Sequence, residues 1–479
     1  MAKKSKQGLT LKKEDNFTEW FTQLIIKAEL ADYSAVSGCI VYRPNSYSIW
    51  EKIKYEIDKE FKKIGVKNSY FPLLIPEKLL SKEAEHIKGF TPEVAWVTQT
   101  GNKKLNEKLA IRPTSEAIMY DSYSQWIRSY RDLPLLLNQW NNVVRWEFNN
   151  PVPFFRGREF LWNELHTAFA SEKESLEHGE DVIKAYDKIT EDLMALPGIY
   201  GKKTDKEKFA GAIFSKKTHH YLPNGKIIEG TCFHYDGQNF AKAYDIKFVN
   251  QKEKHEYVFQ NTHAISTRML GAMFAIHSDN KGLVIPPKLA TNKIVIIPII
   301  FDKTKSKILE VVKKLKSKLK EFEPILDDRE DISPGWKYNE WELKGIPIRI
   351  EIGPKDLEKK SAMVALRIED KKTSIKLKDL EKEIPKLLKE MQNTLYKNAE
   401  KLLKQNKKST TDKSELKKFI KDKKMVKIPM CDNANCEEKM KTEIPGVKTL
   451  FIDSKKITNE KCIICNKKAN YWAWAGKTY

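Results

Sequence analysis

The chain lacks several features that would each have settled its class. It holds 20 glycines in 479 residues, with no G-x-x-x-x-G-K-[ST] loop and no convincing G-x-G-x-x-G turn. Any nucleotide it binds is therefore not cradled by a glycine-rich phosphate loop. No apolar run approaches the ~20 residues that cross a bilayer; the longest, Ile294 to Phe301, is interrupted by Pro298. The start, MAKKSKQGLTLKK, has neither an apolar stretch nor an Arg- and Ser-rich amphipathic pattern. The expectation is a cytoplasmic protein with no membrane partner. There is no internal repeat and no long low-complexity tract. Cysteine is scarce, six in all, and four of them lie between 431 and 465. That is not the spread of a disulfide framework, and it fits a reducing compartment.

What is present is charge. Lys+Arg number 87 against 65 Asp+Glu, a formal net charge of +22. Such a field favours a polyanion partner, although lysine is frequent everywhere and also fits a compositional bias. At ~100–200 residues per domain the length allows two to four domains. Residues 46–64 place Ile49, Ile53, Ile57 and Phe61 at spacing four, which predicts an amphipathic helix stopped by Gly65. SYFPLLIP reads as a strand ending at Pro76, and YDIKFVN and HEYVFQN as paired strands around the turn QKEK. Residues 263–279 read as a helix and GLVIPP as a closing strand. From 293 the texture changes. KIVIIPIIF, IPIRIEIG and SAMVALRI read as strands, and 303–322 and 377–406 as helices. Strands alternating with helices predict a separate α/β domain. A lysine-rich connector and helix then lead to the cysteine-bearing tail. The expected division is 1–290, 291–398 and 399–479.

The tail holds Cys431-x4-Cys436 and Cys462-x2-Cys465. Two short pairs supply four thiolates, the tetrahedral set that a structural Zn²⁺ prefers. Such a site is coordinatively closed, so its role would be structural; the alternative is four free buried thiols. Cys39 and Cys232 lie apart from it.

The stretch VVRWEFNNPVPFFRGREFLW, 143–162, crowds arginines among aromatic rings. It opens as a buried strand, with Val143, Val144, Trp146 and Phe148. An arginine within a strand is costly to bury unless an anion meets it. With Arg156 and Arg158 on the following loop, Arg145 makes a cluster of three guanidiniums, which grip phosphate through paired hydrogen bonds. Phe155 and Phe160 could stack on a base. An Arg–Glu ladder on a sheet edge is the other reading.

These residues carry a resemblance. Arg145-Trp146-Glu147, a loop and then Arg156 resemble motif 2 of class II aminoacyl-tRNA synthetases. RPTSE at 112–116 with FLWNELHTAF at 160–169 resembles prolyl-tRNA synthetases in their archaeal/eukaryotic-like form. So do KFAGA at 208–212, GQNFAKAYDIKF at 237–248, SDNKGLVIPP at 278–287, SPGWKYNEWELKGIPIRIEIGPKD at 333–356 and the four-cysteine tail ending in Tyr479. The resemblance implies an α+β catalytic domain built on the antiparallel class II sheet, an α/β anticodon-binding domain and a small α/β zinc-binding C-terminal domain. It implies ATP-dependent activation of L-proline to prolyl-adenylate and its transfer to the 3′ end of tRNA(Pro), with ATP, Mg²⁺ and a structural Zn²⁺. YFPLLIP resembles motif 1, which implies a homodimer.

Residue by residue, the resemblance puts Arg145 on the α-phosphate and the proline carboxylate. Arg156 and Arg268 would hold the triphosphate, Arg268 as the motif 3 arginine. Glu147 would meet the adenine edge and Phe160 its face, and Glu229 and Cys232 belong to the same nucleotide set. The proline pocket would combine Thr114, Glu116, Trp162, Glu164, His166, His234 and Ser266, with Glu116 pairing the imino nitrogen and Phe240 possible beside Trp162. Thr114 to Glu116 after Pro113 also fit an ordinary helix start, and His166 and His234 ordinary structural histidines. Where the family shows Thr-Ser-His before LGxNF, this chain has EGTCFHYDGQNF. An ungapped register gives Cys232 the Thr place, and a one-residue shift gives it to Thr231. Glu229 stands where Gln is common and His263 where an aromatic is frequent. Glu342, Lys355 and Asp356 would read the anticodon guanines through the edges of unpaired bases. The span from Arg145 to Arg268 leaves no room for the editing insertion of the bacterial form. A pocket separates substrates differing by a methylene by only ~1–3 kcal/mol, so correction of misactivated alanine is expected from a separate trans-editing factor.

Overall fold

A computed structural model describes residues 8–86, 93–147 and 150–479. Phe148, expected in the strand opening at Val143, lies outside them, as does the start of the chain through residue 7. The predicted helix runs Pro44–Lys63: Pro44 presets its first turn, Ile49, Trp50, Ile53, Ile57 and Phe61 are buried along one stripe, and Gly65 follows its end at φ +82°. Each large apolar side chain so buried contributes about 1.5–3 kcal/mol. Phe61 meets Tyr186 of the helix Glu172–Asp187 with ring centroids 5.6 Å apart.

These helices cover one face of a sheet of eleven strands. Its catalytic half, in spatial order, is Ile199–Lys202, Phe214–Tyr221, Lys226–Gly237, Gln260–Ser266, Glu159–Ala168 and Leu135–Val144, each antiparallel to the next, with Lys67–Asn68 parallel at the edge. This is the α+β class II core that the resemblance implies. The other half is the C-terminal module: Lys407–Ser409, Met425–Met430, Tyr471–Thr478 and Val447–Ile452. The halves join where Ile452 pairs with Lys202, and Tyr471–Thr478 also runs parallel to the catalytic strand Lys226–Gly237 at Lys477 and Thr478. A shared core of Tyr221, Ile227, Leu403, Met425, Leu450, Phe451 and Trp474 seals the seam.

The α/β domain expected to bind the anticodon is a five-stranded sheet in the order Ile325–Leu326, Ile294–Pro298, Ile348–Ile352, Ser361–Leu366, Lys372–Lys376, flanked by the helices Lys305–Lys318 and Leu380–Gln405. The expected boundary at 398 falls inside the second of these helices.

Three local expectations fail in whole or in part. Residues 263–266 belong to a strand, Gln260–Ser266, and the helix starts only at Arg268; pairing on both sides overrides the apolar spacing. GLVIPP is not a strand. Leu283 is buried in the catalytic core and Val284 in the anticodon-domain core, so the segment serves two domains and lies in neither sheet. Arg367 fastens the same junction, its guanidinium donating to both carboxylate oxygens of Asp279 at 2.9 and 2.6 Å. The expected strand SYFPLLIP is formed only at Leu74–Pro76.

Candidate active site

A cavity of about 370 Å³ opens on one face of the catalytic sheet. Strand periodicity builds it, since alternate side chains share a face. Trp162, Glu164 and His166 come from one strand, Cys232 and His234 from another, and Thr262, Ala264 and Ser266 from the strand between. Thr114 and Glu116 enter from the turn that opens the helix Glu116–Trp126, Arg145 from just past Val144, and Arg268 from the first residue of its helix.

One end is acidic. Glu164 is buried and accepts from Ser115 N (2.9 Å), Ser115 Oγ (2.7 Å) and Asn141 Nδ2 (2.7 Å), with His166 Nε2 3.5 Å away. Burial pushes its carboxyl up, but His166, Asn141 and Ser115 outweigh it and hold the group below the usual carboxylate range. Its neighbour Glu116 is as buried, yet among the described residues it accepts only from the Thr114 hydroxyl. Glu116 is thus the carboxylate with capacity left for a cationic ligand. Glu116, Glu164 and His166 do bring ligand atoms within 4.8 Å of one another, but the bonds to Glu164 leave that trio few lone pairs for a metal. His234 Nδ1 lies 2.6 Å from Ser215 Oγ, and burial holds its imidazole neutral, well below its ordinary pKa.

The other end is basic. Arg145 donates through Nε to Pro113 O (3.0 Å), with its guanidinium over the rings of Phe160 (5.4 Å) and Trp162 (5.3 Å). Arg268 donates through Nε to Phe155 O (3.2 Å). Glu229 is half-buried and bridges Lys203 (2.9 Å) and Lys217 (2.7 Å). Burial opposes its charge, but the two ammonium groups prevail and hold the carboxyl well below its usual range.

Cys232, not Thr231, faces the cavity. The Thr231 hydroxyl turns to Thr218 Oγ1 at 2.8 Å on the opposite face of the hairpin. Burial raises the Cys232 thiol to about 11. Three aromatic or cationic expectations are corrected. Phe155 offers no free face for a base, because its ring is stacked between Phe21 (4.8 Å) and Tyr479 (4.7 Å). Phe240 is fully buried behind the pocket against Tyr120 (5.4 Å) and does not line it. Arg158 turns outward, with Nη1 on Ser37 O (3.1 Å) and its guanidinium over Trp146 (4.5 Å), so the triple-arginine cluster does not form. Arg156 lines an adjoining groove rather than the main cavity. Glu147 is exposed beyond the strand end and does not line the cavity either. The sequence reading missed Lys217, which lines the cavity. It is the Cα partner of Cys232 across the hairpin Phe214–Tyr221/Lys226–Gly237, and the turn PNG at 223–225 was the signal for that pairing.

The model of the tRNA synthetase class II core domain (G, H, P, S and T) matches residues 96–277, that of the anticodon binding domain 293–387, and that of the prolyl-tRNA synthetase C-terminal domain 413–479. A proline–tRNA ligase of Natranaerobius thermophilus is 43% identical over 94% of this chain and 93% of its own length. The proline–tRNA ligase 2 of Bacillus cereus is 42% identical, with both chains fully covered. The chain belongs to the prolyl-tRNA synthetase family. A crystal structure of prolyl-tRNA synthetase from Cryptosporidium parvum, complexed with halofuginone and AMPPNP, superposes with a TM-score of 0.93 at 41% identity, covering 98% of this chain and 97% of that one. The activity is that of a proline–tRNA ligase, an enzyme that charges tRNA(Pro) with proline.

Away from this cavity, the synthetase's four tail sulfurs lie within 4.8 Å of one another, with Cys431 Sγ 3.5 Å from Cys436 Sγ and 3.7 Å from Cys465 Sγ. Zinc–sulfur bonds of ~2.3 Å give a tetrahedron with edges of about 3.8 Å, so the donor set fits Zn²⁺. In the anticodon-binding domain, Glu342 pairs with Arg349 (3.3 Å), Asp356 caps its own helix by accepting from Gly353 N (2.9 Å), and Lys355 is exposed.

Proposed function

We propose that proline and ATP meet in the 370 Å³ cavity, with the imino acid at the Glu116 end and the phosphates at the Arg145–Arg268 end. One observation carries this reading: a buried carboxylate with spare acceptor capacity and two guanidiniums line a single cavity. Glu116 accepts the secondary ammonium, so that substrate binding neutralises a carboxylate otherwise costly to bury. Thr114 and Glu164 hold Glu116 and the pocket floor in place, Trp162 walls the ring, and His166, His234 and Ser266 complete the enclosure. The proline carboxylate is itself the nucleophile. It attacks the α-phosphorus, pyrophosphate leaves, and the 3′-terminal hydroxyl of tRNA(Pro) then displaces AMP from the acyl group. Arg145 spans the carboxylate and the α-phosphate as charge gathers on phosphorus, and Arg268 and Arg156 hold the remaining phosphates. Catalysis so built rests on positioning and on charge stabilisation. Phe160 meets the base, Glu147 contacts its edge from beyond the strand end, and Glu229 and Cys232 border the nucleotide. The solved relative from Cryptosporidium parvum carries AMPPNP, which supports a nucleotide here. Magnesium enters with ATP as part of the substrate.

Zn²⁺ held by Cys431, Cys436, Cys462 and Cys465 is structural. Glu342, Lys355 and Asp356 face the anticodon, with basic surfaces on phosphate. A homodimer through the motif 1 segment is supported by Tyr70, Leu73, Leu74 and Trp126, large apolar residues left exposed together with that strand. The cytoplasm is the proposed compartment, as the name of the Arabidopsis thaliana relative, proline–tRNA ligase, cytoplasmic, has it for that protein. Misactivated alanine is cleared in trans. Pyrophosphate exchange tests the central reading: it should depend on proline among a panel of amino acids and fall at least 100-fold in Arg145→Ala. Exchange with another amino acid, or none with any, would overturn it.

A further inference from the structure

The cavity wall holds a cation that the roles above leave unused. Lys217 sits on the hairpin strand Phe214–Tyr221, whose side chains alternate faces. Lys216 turns out to Glu180, and Thr218 turns to Thr231. Ser215 and Lys217 point into the site, Ser215 onto His234 and Lys217 into the cavity itself. Lys217 and Lys203 share one carboxylate, Glu229. Lys203 approaches it from a separate small recess beside Thr478 and Tyr479 and does not line the main cavity. Two ammonium groups on one carboxylate leave a surplus positive charge beside an enclosed space, an arrangement that an anion in that space would neutralise. The location is specific as well. Lys217 is the Cα partner of Cys232 across the hairpin and lines the same cavity as His234, on the imino-acid side, and Arg268, on the phosphate side.

Resting on the placement of ATP in this cavity, we propose that Lys217 is a further phosphate-binding residue, set where the two substrates join, whose ammonium contacts the α-phosphate of ATP and of prolyl-adenylate. Glu229 is then its counter-ion in the empty site. It keeps Lys217 charged and aimed into the cavity until phosphate arrives.

A purely structural role makes a different forecast, which two variants expose. Lys217→Met leaves Glu229 with Lys203. Lys217→Met combined with Glu229→Gln removes one charge of each sign and keeps the net charge of the trio at its original value. The full-length enzyme, shown first to support proline-dependent pyrophosphate exchange, is compared with both. That control separates failure of this inference from failure of the site assignment. We expect the exchange kcat to fall at least 10-fold in the single variant and to stay down in the double variant. By calorimetry, ATP should bind at least 10-fold more weakly to both, while adenosine binds within twofold of its original affinity. The inference is overturned if the double variant regains exchange to within twofold, if the single variant is unimpaired, or if adenosine is weakened as much as ATP. Should the single variant fail to fold, the charge-balanced double variant decides alone.

Discussion

Glu116 and Glu164 lie side by side under the same cover, yet hydrogen bonding gives them different work. Glu164 is already engaged by a backbone amide, a hydroxyl and an amide side chain, whereas Glu116 accepts from Thr114. A charged hydrogen bond contributes about 1.5–3 kcal/mol, so Glu116→Gln should raise KM for proline roughly 10- to 100-fold while KM for ATP moves little, as steady-state exchange kinetics would report. Glu164→Gln should instead lower the melting temperature, because it disturbs a bonded buried centre. Equal effects on both constants from both variants would contradict this division. The residues whose convergence was legible in the sequence were those whose type is rarely tolerated in a core without a partner: Arg145, Glu116, Glu164 and Arg268, which line one cavity, and the four tail cysteines, which cluster. Aromatic residues misled. Phe155 and Phe240 look no different in sequence from Phe160, since a ring packs equally well against a core or a ligand, and only tertiary position distinguishes them. Lys217 was hidden among lysines because its meaning depends on the hairpin register that brings it to Cys232 and Glu229.

At the scale of elements, the hairpin and the final strand are what bind the tail to the chemistry. Tyr471–Thr478 lies between Met425–Met430 and Val447–Ile452, and the residue after it stacks on Phe155, whose carbonyl receives Arg268. Tyr479→Ala should therefore weaken exchange severalfold through looser placement of Arg268, with melting temperature changed by no more than a few degrees. A folded Tyr479→Ala variant with unchanged exchange would sink that link. The seam itself is tight at Gly201, where an added Cβ would collide with the Phe451 side chain. Overpacking of this kind costs about 1–3 kcal/mol, so Gly201→Ala should lower the melting temperature measurably, and Gly201→Ala with Phe451→Leu should recover part of the loss. The sequence contains this seam only implicitly. GLVIPP misreads as a strand for the same reason: its apolar residues serve two cores at once.

At the scale of the whole molecule, one continuous sheet makes distant parts share their stability. Two buried histidines next to the seam illustrate it. Burial lowers His219 to about 3 and His220 to about 4, against ~6.5 in an unfolded chain. As pH falls below ~6.5 the unfolded chain takes up protons that the folded chain refuses, so stability declines with falling pH and continues to decline down to the folded values. Thermal melts should shift downward steadily between pH 7 and 5, and a flat profile would contradict the burial. Zinc tests the same continuity more directly. If the four-cysteine module were an independent bead, stripping its metal would melt it separately and leave the catalytic domain untouched. Here Met430, next to Cys431, ends a strand that pairs with Tyr471–Thr478, and Tyr471–Thr478 in turn pairs with Lys226 and Ile227 at the start of the strand whose Cys232 and His234 line the cavity. Metal binding to such a site is folding free energy. Cys462→Ser, or removal of zinc by a strong chelator, should therefore lower a single main melting transition and reduce proline-dependent exchange together. Metal analysis should give one zinc per chain beforehand and none after. Two resolved transitions with full exchange after zinc loss would show that the sheet, though continuous, does not transmit.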